Sequence, residues 1–212
     1  MSATEEQVRP RIACVGVYIL DVLGRPIDHL PEVQYTQVIE EIRITVAGTA
    51  GGTAVDLARM GAEVYAVGVV GQDTSGDFVV TLLEREGVHT DSIARAKEGV
   101  QTATTMLAIN SKGLRPGFHA SGANHELREE HTKGIFDVGL DALHYGGVSA
   151  LPGLDGEPAT RLLAEAKRRN VLTTADCLGV KREDALELLN PSLPYIDVFM
   201  PNRDEACLLT GL

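Results

Sequence analysis

Asn202 and Glu205 stand three residues apart in NRDEACLLTGL, the last stretch of the sequence. Asn at a helix N-cap with Glu three residues on makes a capping box, which stabilises helices of any function. The same N-terminus offers backbone N–H groups and positive dipole to a phosphate. Gly48, Thr49, Gly51 and Gly52 form a second group, in AGTAGGTA, between a strand-like and a helix-like segment. It reads equally as a tight turn and as a place where a ligand approaches backbone N–H groups at a helix start. Asp21 and Asp176 each sit where an apolar strand is predicted to end. In open α/β sheets ligands bind at that carboxyl edge. Arg115 and Asn124 lie in a hairpin-like region from which they could touch such a ligand; for a lone Arg, a solvated rim charge is the commoner role. His119, His125, His131 and His144 share no metal-ligand spacing.

Two common nucleotide motifs are missing. No G-x-x-x-x-G-K-[ST] occurs, which argues against a P-loop enzyme. The first predicted strand runs into GVYILD rather than G-x-G-x-x-G, which disfavours a dinucleotide enzyme.

The elements that must position these residues alternate. RIACVGVYILDV predicts one strand ending near Asp21, and VQYTQVIEEIRITVAG a strand with a polar face. GTAGGTAVDLARMG predicts a helix stopped by Gly61, and AEVYAVGVVG a buried parallel strand. DTSGDFVVTLLEREG predicts a helix with Phe78, Val79, Leu82 and Leu83 inward. TATTMLAIN, SKG and LRPGFHASG predict a hairpin. DALHYGG, NVLTTADC and YIDVFM predict strands; GEPATRLLAEAKRRN, KREDALELL and the final stretch predict helices. The expected fold is a three-layer α/β/α, doubly wound, mostly parallel sheet over 11–212. A small β-sheet lid from about 17–46 and 100–120 lies over its carboxyl edge. YIDVFM is expected to be an exposed apolar edge.

The 212 residues carry 19 Lys and Arg against 30 Asp and Glu, a net charge of −11 that repels nucleic acid and anionic membranes. The densest basic run, Lys167 to Arg169, closes a predicted helix, where it suits the dipole. Cys14, Cys177 and Cys207 have no paired spacing and are expected to be buried free thiols. MSATEEQVRP lacks a signal-peptide pattern, and no apolar run reaches membrane length, so a reducing cytoplasm is the expected location.

AGTAGGTAVDLARMGAEVYAVGVVGQDTSG resembles the first signature of the ribokinase-like (PfkB) carbohydrate kinase family. That signature is a Gly-rich turn, a helix ending in ARxG, a strand, then GxVGxDxxG. GVHTDSI, GLRPGF, SGANHEL, LHYGG and MPNRDEACLLTG follow in the family's order. The resemblance implies transfer of phosphate from ATP, with Mg2+, to a sugar or polyol, and a lid that excludes water and makes a homodimer. It implies Asp21, Gly48, Thr49, Gly52, Arg115 and Asn124 on the sugar, and Asp176, Asn202 and Glu205 on the nucleotide side. Glu205 would act on Mg2+ through ordered water. Gly52 stands where the family has Asn. The family's second signature, D-T-x-G-A-G-D, is absent, so the catalytic base is expected beyond Leu212 and the chain by itself is expected to be catalytically incomplete. DTSGD at Asp73 to Asp77 belongs to the first signature. The alternative is a non-catalytic sugar-binding module.

Overall fold

The computed structural model describes residues 9–179 and 184–212. Six strands make one parallel sheet: β1 (Arg11–Gly16), β4 (Glu63–Val70), β5 (His89–Arg95), β8 (Ala142–Val148), β9 (Leu172–Cys177) and β10 (Val198–Phe199). Their spatial order is β10-β9-β8-β1-β4-β5. The helices are α1 (Thr49–Arg59), α2 (Thr74–Arg85), α3 (Glu157–Arg168), α4 (Ala185–Leu189) and α5 (Arg203–Thr210). Side chains of β1 alternate between two cores, so a strand buried on both faces reads as a continuous apolar run. Cys14 joins Val64 and Ala66 beneath Ala50 and Ala54 of α1 and Val79 and Leu83 of α2. Ala13 and Val15 join Leu143 and Tyr145 against Leu162, Leu163 and Ala166 of α3. This is the three-layer, doubly wound arrangement.

A second sheet of four strands holds β2 (Ile19–Arg25), β3 (Glu41–Ala47), β6 (Thr104–Ala108) and β7 (Gly117–Ala120), in the order β3-β2-β6-β7. The expected single strand RIACVGVYILDV is therefore two. Gly16, at φ +147°, presses so closely on β8 that a Cβ would lie 1.9 Å from the Gly146 carbonyl oxygen. Tyr18 then turns inward and donates its hydroxyl to the Cys14 carbonyl at 2.7 Å. The chain leaves the main sheet there, and Asp21 falls within β2 rather than at the end of β1.

Three other expectations are corrected. β5 has no counterpart among the expected strands: HTDSIAR is polar because it forms the outer edge of the sheet. Phe78 does not point inward but is 46% exposed, while Val79 and Leu83 are buried. Cys207 is exposed, whereas Cys14 and Cys177 are buried. The predicted helix KREDALELL starts outside the described residues, as does most of MSATEEQVRP; α4 occupies its described part. YIDVFM supplies β10, the opposite edge, with Val198 and Met200 exposed. Among the described residues no helix is long and apolar enough to cross a membrane.

Candidate functional site

The chain proceeds from β1 to β4 and β5 on one side, then from β8 to β9 and β10 on the other. The direction of winding reverses between β1 and β8, which opens a crevice at their carboxyl ends. A cavity of 320 Å³ lies there. Its floor is Val17, Ser149, Ala150, Leu178 and Gly179, from the segments that follow β1, β8 and β9. Its other wall is His119, Ser121, Asn124 and His125, from the end and base of the lid.

The lid sheet has two unlike faces because side chains alternate along each strand. Asp21 is in register with Thr45 and Thr105, and Thr105 with His119, so these four polar residues share one face. His119 carries that face into the cavity, with its Nδ1 3.0 Å from the Thr105 hydroxyl. Burial pushes the Asp21 carboxyl above its ordinary value, and the Thr105 hydroxyl and His119 only partly offset it. The next row is Ile44, Val22, Met106 and Phe118, on the opposite face. Ile44, Met106 and Phe118 are 44%, 59% and 68% exposed.

Three glycines of the turn divide by cause. Gly48 has φ +85°, and a Cβ there would sit 2.4 Å from the Val17 carbonyl oxygen. A Cβ on Gly51 would lie 2.9 Å from Val46. The Gly51 and Gly52 amides donate to the Val17 and Gly48 carbonyls, so these two donors are used within the turn. Around Gly52, in contrast, an added Cβ meets nothing within 4 Å. Gly52→Asn is therefore expected to leave the melting temperature unchanged or to add a few tenths of a kcal/mol through helix propensity. A lower melting temperature by circular dichroism would show that the space is not open.

Thr49 begins α1, and its hydroxyl is buried with no hydrogen-bond partner among the described residues. The Ser149 hydroxyl shares that condition, on a residue held at φ +78° at the cavity floor. Unpaired buried hydroxyls are costly and mark a place where another polar group is wanted.

Asn124 ties two elements together, since its Oδ1 accepts from the Tyr18 amide at 3.1 Å and its Nδ2 donates to the Tyr18 carbonyl at 3.0 Å. It braces the crossing from β1 to the lid while lining the cavity. Arg115 lies in the exposed loop between β6 and β7, and it is not among the residues around the cavity. Asp176, near the end of β9, accepts from the Gly147 amide at 2.8 Å.

Asn202 caps α5, accepting from the Glu205 amide at 2.9 Å, and Glu205 accepts from the Asn202 amide at 3.0 Å. The second Glu205 oxygen accepts from the Gly179 amide at 3.1 Å, and the residue is buried. Glu205 thus ties the start of α5 to a loop that lines the cavity. Each oxygen accepts from one backbone N–H group and keeps a further lone pair. Among the described residues no group of three or more His, Cys, Asp or Glu could hold a metal ion.

Sequence reasoning did not place His119, Thr105 or Ser149 at the site. Alternation in the hairpin could have put Thr105 and His119 on one face, but the strand register that adds Asp21 is a tertiary fact.

The profile of the pfkB family carbohydrate kinases matches residues 9–212. The 5-dehydro-2-deoxygluconokinase of Clostridium perfringens is 36% identical over 174 residues, spanning 79% of this chain and 52% of the relative. The solved 2-dehydro-3-deoxygluconokinase of Thermotoga maritima superposes with a TM-score of 0.76 at 25% identity, over 96% of this chain and 63% of that one. Ribokinase of Arabidopsis thaliana, solved with ribose and ATP, gives 0.74 at 21%, over 97% and 64%. The chain spans about half the length of the curated relatives it matches. On this match across nearly all its residues, the chain belongs to the pfkB family of carbohydrate kinases.

Proposed function

We propose that the protein transfers the γ-phosphoryl group of ATP, assisted by Mg2+, to a hydroxyl of a sugar or related polyol. The observation that carries this reading is the 320 Å³ cavity between the sheet's carboxyl edge and the polar face of the lid. Its hydroxyl, amide and imidazole groups suit a ligand rich in hydroxyls. Asp21 would hold the sugar from the lid, and the Gly48, Thr49, Gly52 turn from below. Asn124 shapes the wall through its brace, and Arg115 would reach substrate only at the rim.

Phosphoryl transfer needs a positioned hydroxyl, a base, metal and donors for the oxygen charge. Asp176, Asn202 and Glu205 would serve the nucleotide side. The chemistry of Glu205 fits Mg2+ through water: it is a buried carboxylate with a lone pair left on each oxygen, and Mg2+ keeps several of its waters. Mg2+, when bound, would neutralise phosphate charge. None of these 212 residues is assigned the part of the base, because D-T-x-G-A-G-D does not occur in them. The second reading is a sugar-binding module without turnover.

The exposed Ile44, Met106 and Phe118 row supports a homodimer through the lid. The three unpaired cysteines support a cytoplasmic location.

A calorimetric titration with 5-dehydro-2-deoxygluconate, 2-dehydro-3-deoxygluconate, fructose and ribose, followed by ADP release with ATP and Mg2+, tests this function. Sugar binding with turnover is expected for the kinase. ADP release would rule out the binding module, and silence from a broad sugar panel would sink both readings.

A further inference from the structure

A histidine lies inside the parallel sheet, beneath the crevice. His144 is the third residue of β8 and 3% exposed. In register it stands between Cys14 of β1 and Thr174 of β9, on the face covered by α1. Its Nδ1 is 2.9 Å from the Thr174 hydroxyl. Its Nε2 is buried and has no hydrogen-bond partner among the described residues. The nearest acidic group is Asp176, whose Oδ2 is 3.6 Å from that nitrogen. Asp176 is two residues beyond Thr174 and therefore on the same face. Its side chain is 19% exposed, and its other oxygen is fixed by the Gly147 amide.

The tautomer follows from chemistry. A buried Nε2 lone pair facing a carboxylate would be repelled, whereas an Nε2–H is attracted. With the proton on Nε2, Nδ1 is the acceptor and Thr174 donates its hydroxyl to it. At 3.6 Å the His144 to Asp176 contact is longer than a hydrogen bond and acts electrostatically. The other groups facing the pair are the Cys14 thiol and the N-terminus of α1, which packs on Gly146. Burial pushes Cys14 up to about 12, and the negative Asp176 adds to that, so the thiol is neutral and offers no competing charge.

We propose that His144 is the positioning residue for Asp176: held by Thr174 with its proton on Nε2, it orients the carboxylate at the carboxyl end of β9. The arrangement couples a strand interior to the site through one face of β8 and β9. It rests on the reading of Asp176 as a ligand contact for its functional consequence, and on the geometry alone for the tautomer.

The experiment has two arms. In the 15N-labelled protein, long-range 1H–15N correlation spectra should show His144 as the Nε2–H tautomer at neutral pH, with its resonances assigned by their loss in His144→Gln. An Nδ1–H tautomer would overturn the proposal whatever the ligand results. In the second arm, the affinities of ATP with Mg2+ and of the best sugar are titrated. His144→Phe should weaken whichever ligand Asp176→Asn weakens, by about tenfold, the range of one charge-assisted hydrogen bond. His144→Gln, which keeps an N–H, should restore affinity to within about threefold of wild type, a small fraction of that hydrogen bond. The double variant His144→Phe/Asp176→Asn should be no weaker than Asp176→Asn. A further loss in the double variant would show that His144 does not act through Asp176 and would overturn the proposal. Should Asp176→Asn weaken neither ligand, the ligand role given to Asp176 fails, and the tautomer alone decides whether His144 orients it.

Discussion

Replacing Asp73 by Ala is expected to cost about 2–4 kcal/mol of stability, the sum of a lost helix cap and buried donors left unpaired. Asp73 is the N-cap of α2, where its Oδ1 accepts from the Gly76 amide at 2.8 Å. Its Oδ2 accepts from the Thr102 amide at 2.8 Å, and Oδ1 also takes the Thr102 hydroxyl at 2.5 Å. Thr102 is 1% exposed and in turn accepts from the Gly71 amide at 2.8 Å. One carboxylate therefore joins the end of β4, the start of α2 and the segment that leads into lid strand β6. Without it the Thr102 amide would be buried unpaired, and the Thr102 hydroxyl would lose its acceptor. Burial works against ionisation of Asp73, but the Thr102 and Gly76 hydrogen bonds outweigh it and hold the carboxyl below its ordinary value. Its stabilising contribution is thus full above the unfolded-state pKa and is lost as pH falls through the lower folded value. Urea denaturation at neutral pH should show the loss, and the gap between wild type and variant should narrow in acid. A cost under about 1 kcal/mol would mean that the clamp is dispensable.

This clamp also shows what the sequence could and could not reveal. DTSGD belongs to the first signature, and its first Asp is occupied by a helix cap and a buried threonine. Sequence pattern identified the helix because a cap followed by apolar residues at helical spacing acts locally. It could not identify Thr102 as partner, 29 residues on. Val64 to Val70 was legible as a strand because both its faces are buried, whereas the polar edge strand β5 carried no such signal. The break at Gly16 was hidden for another reason. Apolar residues continue on both sides of it, and only the approach of Gly146 shows that the chain must leave the sheet. The same break explains why Asp21 was expected at the end of the first strand but lies in the second sheet. Asn202 and Glu205 were legible as a cap. The third partner, the Gly179 amide, comes from the segment after β9 and links that cap to the crevice.

Asp21→Asn should separate binding from folding. The carboxyl lies on the lid face that leads into the cavity, in register with Thr45 and Thr105. Burial raises its pKa, the largest influence on it, with Thr105 and His119 opposing. An acid whose folded pKa lies above the unfolded one costs stability once the pH exceeds the unfolded value. At neutral pH, then, the charge at Asp21 opposes folding, and a neutral amide of the same shape removes that cost. The melting temperature of Asp21→Asn should equal or exceed that of wild type at pH 7, and the two should converge as the pH falls below the usual carboxylate range. Sugar affinity should move the other way. A charged hydrogen bond to a ligand hydroxyl is worth about 1.5–3 kcal/mol, or roughly tenfold to a hundredfold in affinity. Calorimetry with the strongest-binding sugar would read the loss, and thermal melts of the same samples would read the stability. Unchanged affinity would remove Asp21 from the sugar site. A large drop in melting temperature would instead make Asp21 a structural part of the lid, because a residue retained for binding at the expense of folding cannot stabilise the protein as well.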